Sequence, residues 1–393
     1  VARDRLEPAL DALAHACAAA GLGYALRAAR IARGWLRVPV VAELPDAPSL
    51  SVIVPARNEE RTIERCVRSL LAQTLADYEL IVVDDRSDDA TPAILARLAA
   101  EHPRLRVLRG EPLPEGWVGK PWALEQGARA ARGAWLLFTD ADSWHAPAAC
   151  TSALAFVRAR GVDALTIATY QELGSWGERA VLPTILGMVI VASGSMAQLN
   201  DPRDTGHALA NGQYILVSRE AYEGLGGHAA LRGEIVEDVA FAKRLKADGR
   251  YRMLLAGGEE LVRVRMYRSL RDVWDGFTKN VYAGTNGDLR ALLGGTAFVA
   301  ALSVIPAALA LDALARKRPA RAAEALLCLA LGSAVEAYGL ENTRLPRRLA
   351  LWAPFGYAVL GGITLNSTLR VLSGRGVEWR GRRYTGRAPS NRT

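Results

Sequence analysis

Glu79-Leu80-Ile81-Val82-Val83-Asp84-Asp85 is a compact β-branched run that stops abruptly on two carboxylates. Ser51-Val52-Ile53-Val54-Pro55 upstream, and Leu105-Arg106-Val107-Leu108 and Trp135-Leu136-Leu137-Phe138-Thr139-Asp140 downstream, have the same form. Between these runs the apolar spacing predicts helices near 62–72, 90–101 and 123–131. Strand and helix in alternation predict an α/β fold with a mainly parallel sheet and flanking helices. In such sheets ligands bind at the carboxyl ends of the strands. Polar residues gather there: Arg57-Asn58-Glu59, Asp84-Asp85 and Asp140-Ala141-Asp142.

A chain of 393 residues has room for one large α/β domain and an appendage. Half of its residues are hydrophobic, between the usual values for a soluble enzyme and an integral membrane protein. The formal charge of +8 is concentrated in clusters, Arg316-Lys317-Arg318 with Arg321, then Arg344, Arg347 and Arg348, then an arginine-rich tail. All flank apolar stretches, a pattern that fits anionic lipid headgroups. No nucleic-acid-binding motif accompanies them, so nucleic acid is not the expected partner. Cys17, Cys66, Cys150 and Cys328 are widely spaced, which argues against a zinc site or a disulfide framework. The chain opens on Val1, which leaves its true start open, and no signal-peptide pattern is recognised.

Residues 9–26 read either as an amphipathic, membrane-seeking helix or as an ordinary packed one. Residues 291–311 and 349–369 are uncharged and long enough to cross a bilayer. Residues 322–340 carry Glu324 and Glu336, and 180–199 is interrupted by Pro183, Gly187 and Gly194, which favours an interfacial or core helix. Three crossings after the catalytic region would put the basic tail on the opposite side, against the positive-inside tendency. A re-entrant or interfacial 291–311, broken at Gly294, Gly295 and Pro306, would remove the conflict. The expected organisation is an N-terminal helical segment (1–48), a catalytic domain (49–288), membrane helices (289–372) and a basic tail (373–393).

Asp140 and Asp142, one residue apart at a strand end, suit a hard divalent cation, Mg²⁺ or Mn²⁺, that bridges to substrate phosphates. Alone, Asp-x-Asp is also a common surface turn. Asp84 and Asp85 suit a nucleobase or ribose, while Ser87, Asp88 and Asp89 equally fit a helix N-cap. Gly116-Trp117-Val118-Gly119-Lys120-Pro121-Trp122 offers a lysine for a diphosphate, with glycines that let the backbone approach. Glu237-Asp238 heads an apolar helical stretch and can supply a general base, although the helix dipole favours acids there too.

Together these motifs resemble family 2 glycosyltransferases of the GT-A fold over about residues 49–285. The resemblance implies donor contacts from Pro55, Arg57, Asn58, Glu59, Asp84, Asp85, Lys120 and Asp140. It implies a metal held by Asp142 and Asp140, and an inverting displacement with Asp238, beside Glu237, as base. Gly116–Trp122, Ala210-Asn211-Gly212-Gln213-Tyr214, Gly226-Gly227-His228, Met266–Leu270 and Val377–Tyr384 are similar to bacterial enzymes that glycosylate carotenoids and hopanoids, the hydroxychlorobactene glucosyltransferases and hopene-associated glycosyltransferases. Trp117, Trp122, Gln213 and Trp274 are the expected acceptor-side residues. The Gln-x-x-Arg-Trp motif of processive synthases has no counterpart in Tyr267–Lys279, which favours addition of one sugar. The expectation is transfer of one sugar from a nucleotide-diphosphate donor such as UDP-glucose to a lipid alcohol, at the cytoplasmic face of a bacterial inner membrane. Polyprenyl phosphate or a sphingolipid-like alcohol are alternative acceptors. A non-catalytic nucleotide-sugar-binding scaffold is the alternative of another class.

Overall fold

The computed structural model describes residues 6–31, 34–285, 288–373, 377–379 and 382–384. Most of the arginine-rich tail, including Arg375, Arg380, Arg387 and Arg392, therefore lies outside the described residues. The chain divides into two compact units. One comprises 34–172 and 196–266; the other comprises 1–33, 173–195 and 267–393.

The first unit is built on a seven-stranded sheet ordered β3-β2-β1-β4-β8-β6-β9. These strands are β1 (Leu50–Ala56), β2 (Tyr78–Asp84), β3 (Leu105–Arg109), β4 (Trp135–Phe138), β6 (Ala164–Ala168), β8 (Ile215–Ser218) and β9 (Met253–Gly257). β1 pairs in parallel with both β2 and β4, and β8 alone runs antiparallel, between β4 and β6. Side chains alternate between two cores. Val52, Val54, Leu80, Val82 and Leu137 pack on one face, and Ile53, Ile81, Val83, Leu136 and Phe138 on the other. Helices cover both faces, so the central strands are buried on both sides and need no polar alternation, while the edge strand β3 is only partly covered. A smaller sheet joins β5 (Ser143–His145), β10 (Val262–Val264) and β7 (Tyr170–Gln171). Gly133 lets the turn into β4 lie against β1: a Cβ there would stand 2.5 Å from the Ser51 nitrogen.

The predicted helices appear as Ile63–Leu71, Thr91–Glu101 and Gly119–Ala130. The last begins earlier than the apolar spacing implied, because Pro121 is tolerated in a first turn, where its missing N–H has no helical partner. Lys120 therefore lies inside that helix and not ahead of it.

The second unit is helical. Glu7–Ile31, Trp176–Ser193, the 289–315 stretch, Pro319–Asn342 and the 347–372 stretch are each long and apolar enough to cross a membrane. The 289–315 stretch is broken at Ser303 into Leu289–Leu302 and Val304–Ala315. Leu270–Gly284 precedes it.

Candidate functional site

The loops that leave β1 and β2 are laced together. Asp85 N–H donates to the Ala56 carbonyl at 2.7 Å, extending the β1–β2 ladder by one residue. Both chains then turn through left-handed residues, Asn58 (φ 56°) and Arg86 (φ 58°). The Asn58 side-chain amide oxygen accepts from Asp88 N–H at 2.9 Å, and Asn58 main-chain N–H donates to the Ser87 hydroxyl at 2.9 Å. Arg57 donates to the Asp85 main-chain carbonyl at 2.7 Å. Asp84 and Asp85 are both buried, and Asp84 accepts from Ser87 N–H at 3.1 Å. Glu59 N–H donates to the Thr91 hydroxyl at 2.8 Å, and its carboxylate accepts from Thr62. Pro55, in β1, stands opposite Val83. The N-cap reading of Ser87–Asp89 needs correction. The helix cap is Ala90, while Ser87 and Asp88 tie this loop to the one after β1 and Asp89 holds Thr91 N–H at 2.9 Å.

A second cluster forms beyond β4 from four separate segments. Lys120 Nζ lies 2.7 Å from Asp140 Oδ1 and 2.7 Å from Glu237 Oε1. Asp238 accepts from Gly212 N–H and from Val239 N–H, each at 2.8 Å. Gly212 is enclosed: a Cβ there would stand 3.0 Å from Lys120 Nζ and 3.1 Å from Asp238 Oδ2. Glu237 and Asp238 occupy the first turn of the Glu237–Asp248 helix, where the dipole favours acids.

The two neighbours titrate in opposite directions. Burial raises the Glu237 carboxyl, but the Lys120 ammonium more than reverses this and holds it below the usual carboxylate range. Burial and the Glu237 charge push Asp238 up to about 6, despite Lys120 and its two backbone donors. Lys120 itself stays protonated: burial opposes its charge, and Asp140, Glu237 and Asp238 together outweigh burial. The arrangement therefore holds one ionised acid on a lysine beside a second acid with a pKa near the neutral range. Paired environments of this kind divide acid–base roles at catalytic sites.

Thr139 positions the Asp140–Ser143 turn. Its hydroxyl donates to the Gln213 carbonyl at 2.7 Å and also meets Ser143 and His145 Nε2 at 2.9 and 3.1 Å. Ser143 in turn donates to the Asp140 carbonyl at 2.6 Å, closing the Asp140–Ser143 turn. Burial lowers His145 to about 3, so its ring is neutral and serves this network as a fixed polar post. Lys246 Nζ donates to the carbonyls of Gln198, Asp204 and His207, drawing in the loop that leads to Gly212. Thr139, Ser143, His145 and Lys246 were missed by sequence reasoning. Each acts through buried hydrogen bonds to residues distant in the chain, and no local motif marks them.

Of the expected acceptor-side residues, Trp117, Trp122 and Gln213 belong to the sheet unit and Trp274 to the helical unit. Trp122 is buried and its indole N–H donates to the Glu111 carbonyl at 3.3 Å, so it packs under Trp117, whose ring centroid lies 4.9 Å away. Gln213 is buried, its amide oxygen accepting from Thr169 at 2.5 Å and from Gln171 at 3.2 Å. Trp274 belongs to the helical unit, where its ring lies against Gly362.

Asp140 and Asp142 offer two carboxylates at one strand end, a donor set that fits a hard cation which completes its shell with waters and substrate phosphates. Among the described residues no group of three His, Cys, Asp or Glu side chains gathers around a common point. A cation here would thus rest on this pair and on the donor substrate.

The sheet order, its single antiparallel strand and the acidic strand ends define a GT-A-type α/β fold. Residues 51–226 match the family model for glycosyl transferase family 2. The chain is similar to 4,4'-diaponeurosporenoate glycosyltransferase of Staphylococcus aureus strain USA300, 28% identical over 253 residues. That alignment covers 61% of this chain and 62% of the relative, so the chain spans about three fifths of the curated relatives it matches. Strain MRSA252 has a protein of the same name, also 28% identical, over 254 residues. Among solved structures, the mannosyltransferase PcManGT from Pyrobaculum calidifontis, in complex with GDP-Man and Mn²⁺, superposes with a TM-score of 0.52 at 20% identity. That superposition covers 92% of this chain and 99% of the mannosyltransferase, a likeness of fold.

Proposed function

We propose that this protein transfers a single sugar from a nucleotide-diphosphate donor, UDP-glucose by preference, to a hydroxyl or carboxylate of a carotenoid-type lipid at a membrane. The observation that carries this reading is the Lys120–Asp140–Glu237–Asp238 cluster at the carboxyl end of β4. The name of the Staphylococcus relatives supports a carotenoid-type acceptor, and the long apolar helices support an enzyme that meets its acceptor in the bilayer. The orientation proposed is the cytoplasmic face of a bacterial inner membrane.

Asp84, Asp85 and Arg57 line the nucleoside end, held by the laced β1 and β2 loops. Asp140 and Asp142 would hold Mg²⁺ or Mn²⁺, which would offset charge on the departing diphosphate. Lys120 adds a fixed ammonium to the same oxygens. For a hydroxyl acceptor, Asp238 removes the proton as the acceptor oxygen forms its bond to the anomeric carbon. The bond from that carbon to the phosphate oxygen breaks, the nucleoside diphosphate leaves with the electron pair, and the configuration inverts. A carboxylate acceptor would need no proton removal, and Asp238 would then only orient it.

The test is incubation of purified protein with radiolabelled UDP-glucose and a panel of hydroxylated carotenoids, carotenoid acids, hopanoids, polyprenyl phosphate and sphingolipid-like alcohols. Labelled carotenoid or hopanoid is expected. Product on polyprenyl phosphate alone would overturn the acceptor reading. Absence of transfer to every lipid, with donor still bound, would favour the scaffold.

A further inference from the structure

By length and composition the 289–315 stretch reads as one membrane crossing. Its neighbours within the helical unit say otherwise. Pro319–Asn342 and the 347–372 stretch are joined by a short turn, 343–346, and run antiparallel, with Gly332 against the Tyr357 ring. Leu289–Leu302 runs opposite to the second of these. Thr296 donates to the Thr364 hydroxyl at 3.0 Å, and Val299 faces Gly361 one turn further on. Val304–Ala315 runs opposite to the first. At the apex, the Ala301 carbonyl at the end of the first arm lies 3.4 Å from Cys328 Sγ, and further along the second arm Asp312 meets Arg321, seven residues nearer Pro319, at 3.3 Å. The two arms therefore run in opposite senses, and both 289 and 315 lie at the end of the unit where Pro319 starts and Leu372 finishes.

We infer that the 289–315 stretch is a re-entrant V that enters and leaves the membrane on the same side, occupying one leaflet. This rests on the reading above that the helical unit is embedded in a bilayer. Arms of 14 and 12 residues reach about 21 and 18 Å at 1.5 Å per residue, short of the roughly 30 Å hydrocarbon core. A helix break at depth is tolerated only where protein satisfies the freed backbone. Here Ser303 is buried, its N–H donates to the Ala300 carbonyl at 3.2 Å and its hydroxyl to Val299 at 2.8 Å. Pro306 removes one further donor from the first turn of the second arm. The outer faces remain apolar and unshielded by protein: Val304, beside the apex, is 56% exposed and Leu311 70%. Exposed Arg290, Arg316, Lys317 and Arg318 surround the open end, where anionic headgroups of one leaflet would meet them. Arg321 is buried there and pairs with Glu7 and, at 2.7 Å, with Asp11, which places the start of Glu7–Ile31 at that end too.

Single cysteines at Arg290, Lys317 and Val304, in full-length protein in sealed vesicles, test this with a membrane-impermeant maleimide. The four native cysteines are buried, and wild-type protein provides the background. Arg290→Cys and Lys317→Cys should label in the same vesicle orientation and lose labelling together in the inverted one. Val304→Cys should react only with a membrane-permeant maleimide, since lipid alone can shield it. Labelling of positions 290 and 317 from opposite sides would overturn the V while leaving membrane insertion intact. Impermeant labelling of Val304→Cys, or release of the protein from vesicles by salt, would overturn the embedded reading itself.

Discussion

Asp238→Asn separates a catalytic carboxylate from a structural one. The folded protein raises this group from 3.8 to about 6, and a rise of about two units corresponds to roughly 3 kcal/mol. A raised carboxyl pKa weakens the fold above the unfolded value. The penalty grows as pH rises from about 4 to 6 and is then constant. Asparagine removes that penalty at neutral pH. It also turns an amide nitrogen toward one of the two N–H groups, Gly212 or Val239, that the carboxylate now accepts. An unmade buried hydrogen bond costs about 1–3 kcal/mol, so the two effects nearly cancel. Transfer to a hydroxyl acceptor should nevertheless fall about 10²–10⁴-fold, the usual contribution of a positioned base. The assay is kcat/KM for sugar transfer between pH 5 and 8, with thermal melting of the same detergent-solubilised samples. Wild type should lose activity tenfold per unit below about pH 6, and the variant should melt within a few degrees of it. A variant that keeps a tenth of the activity, or a flat wild-type profile down to pH 5, would refute the assignment of Asp238 as base.

Three further substitutions probe the neighbouring groups. Asp142→Ala should abolish metal-dependent donor binding in calorimetry while Asp238→Asn spares it, and equal donor affinity in Asp142→Ala and wild type would remove Asp142 from the metal site. Lys120→Met leaves Asp140 and Glu237 without the ammonium between them. Because a charged hydrogen bond contributes about 1.5–3 kcal/mol, Mn²⁺ should bind at least about tenfold tighter without donor, while nucleotide-sugar affinity drops by a similar factor. Unchanged Mn²⁺ affinity by electron paramagnetic titration would show that Lys120 does not compete for the site. Gly133→Ala drives a methyl into the Leu50–Ser51 backbone, 2.5 Å from a nitrogen that cannot yield. It should cost about 1–3 kcal/mol, and a melting temperature within one degree of wild type would mean that this turn has slack.

How much of this was legible in sequence follows from the range over which each signal acts. β1, β2 and β4 each lead into polar residues, and the alternation of short apolar runs with helical stretches pointed to a mainly parallel sheet, while the strand order came only from the fold. Asp84, Asp85, Asp140 and Asp142 were readable because a strand end is a local event. Glu237-Asp238 was readable as a pair, but not the split between them, since that split depends on Lys120, 117 positions away in the chain. The burial of Trp122 was not legible for the same reason. Only the fold shows its indole N–H turned inward to the Glu111 carbonyl. The tertiary networks around Thr139 and Lys246 carry no periodicity and no motif. The break at Ser303 was half legible: Gly294, Gly295 and Pro306 marked a weak helix, but direction came only from its partners Thr364 and Arg321.

Charge balance ties the proposed cation to the proposed base. The cluster already sets three carboxylates, Asp140, Glu237 and Asp238, against one ammonium. In the proposed reading a nucleotide diphosphate would add further negative charge beside this cluster. Without a cation that charge would raise Asp238 further, by the same like-charge repulsion that Glu237 already exerts. A protonated Asp238 cannot accept the proton of a hydroxyl acceptor. Removal of divalent metal should therefore do more than weaken donor binding. With donor saturating and metal chelated, the residual activity should show its acid limb displaced to higher pH than in the metal-replete enzyme. An acid limb at the same pH with and without metal would mean that Asp238 does not sense the diphosphate, and that the base and the donor site are electrostatically separate.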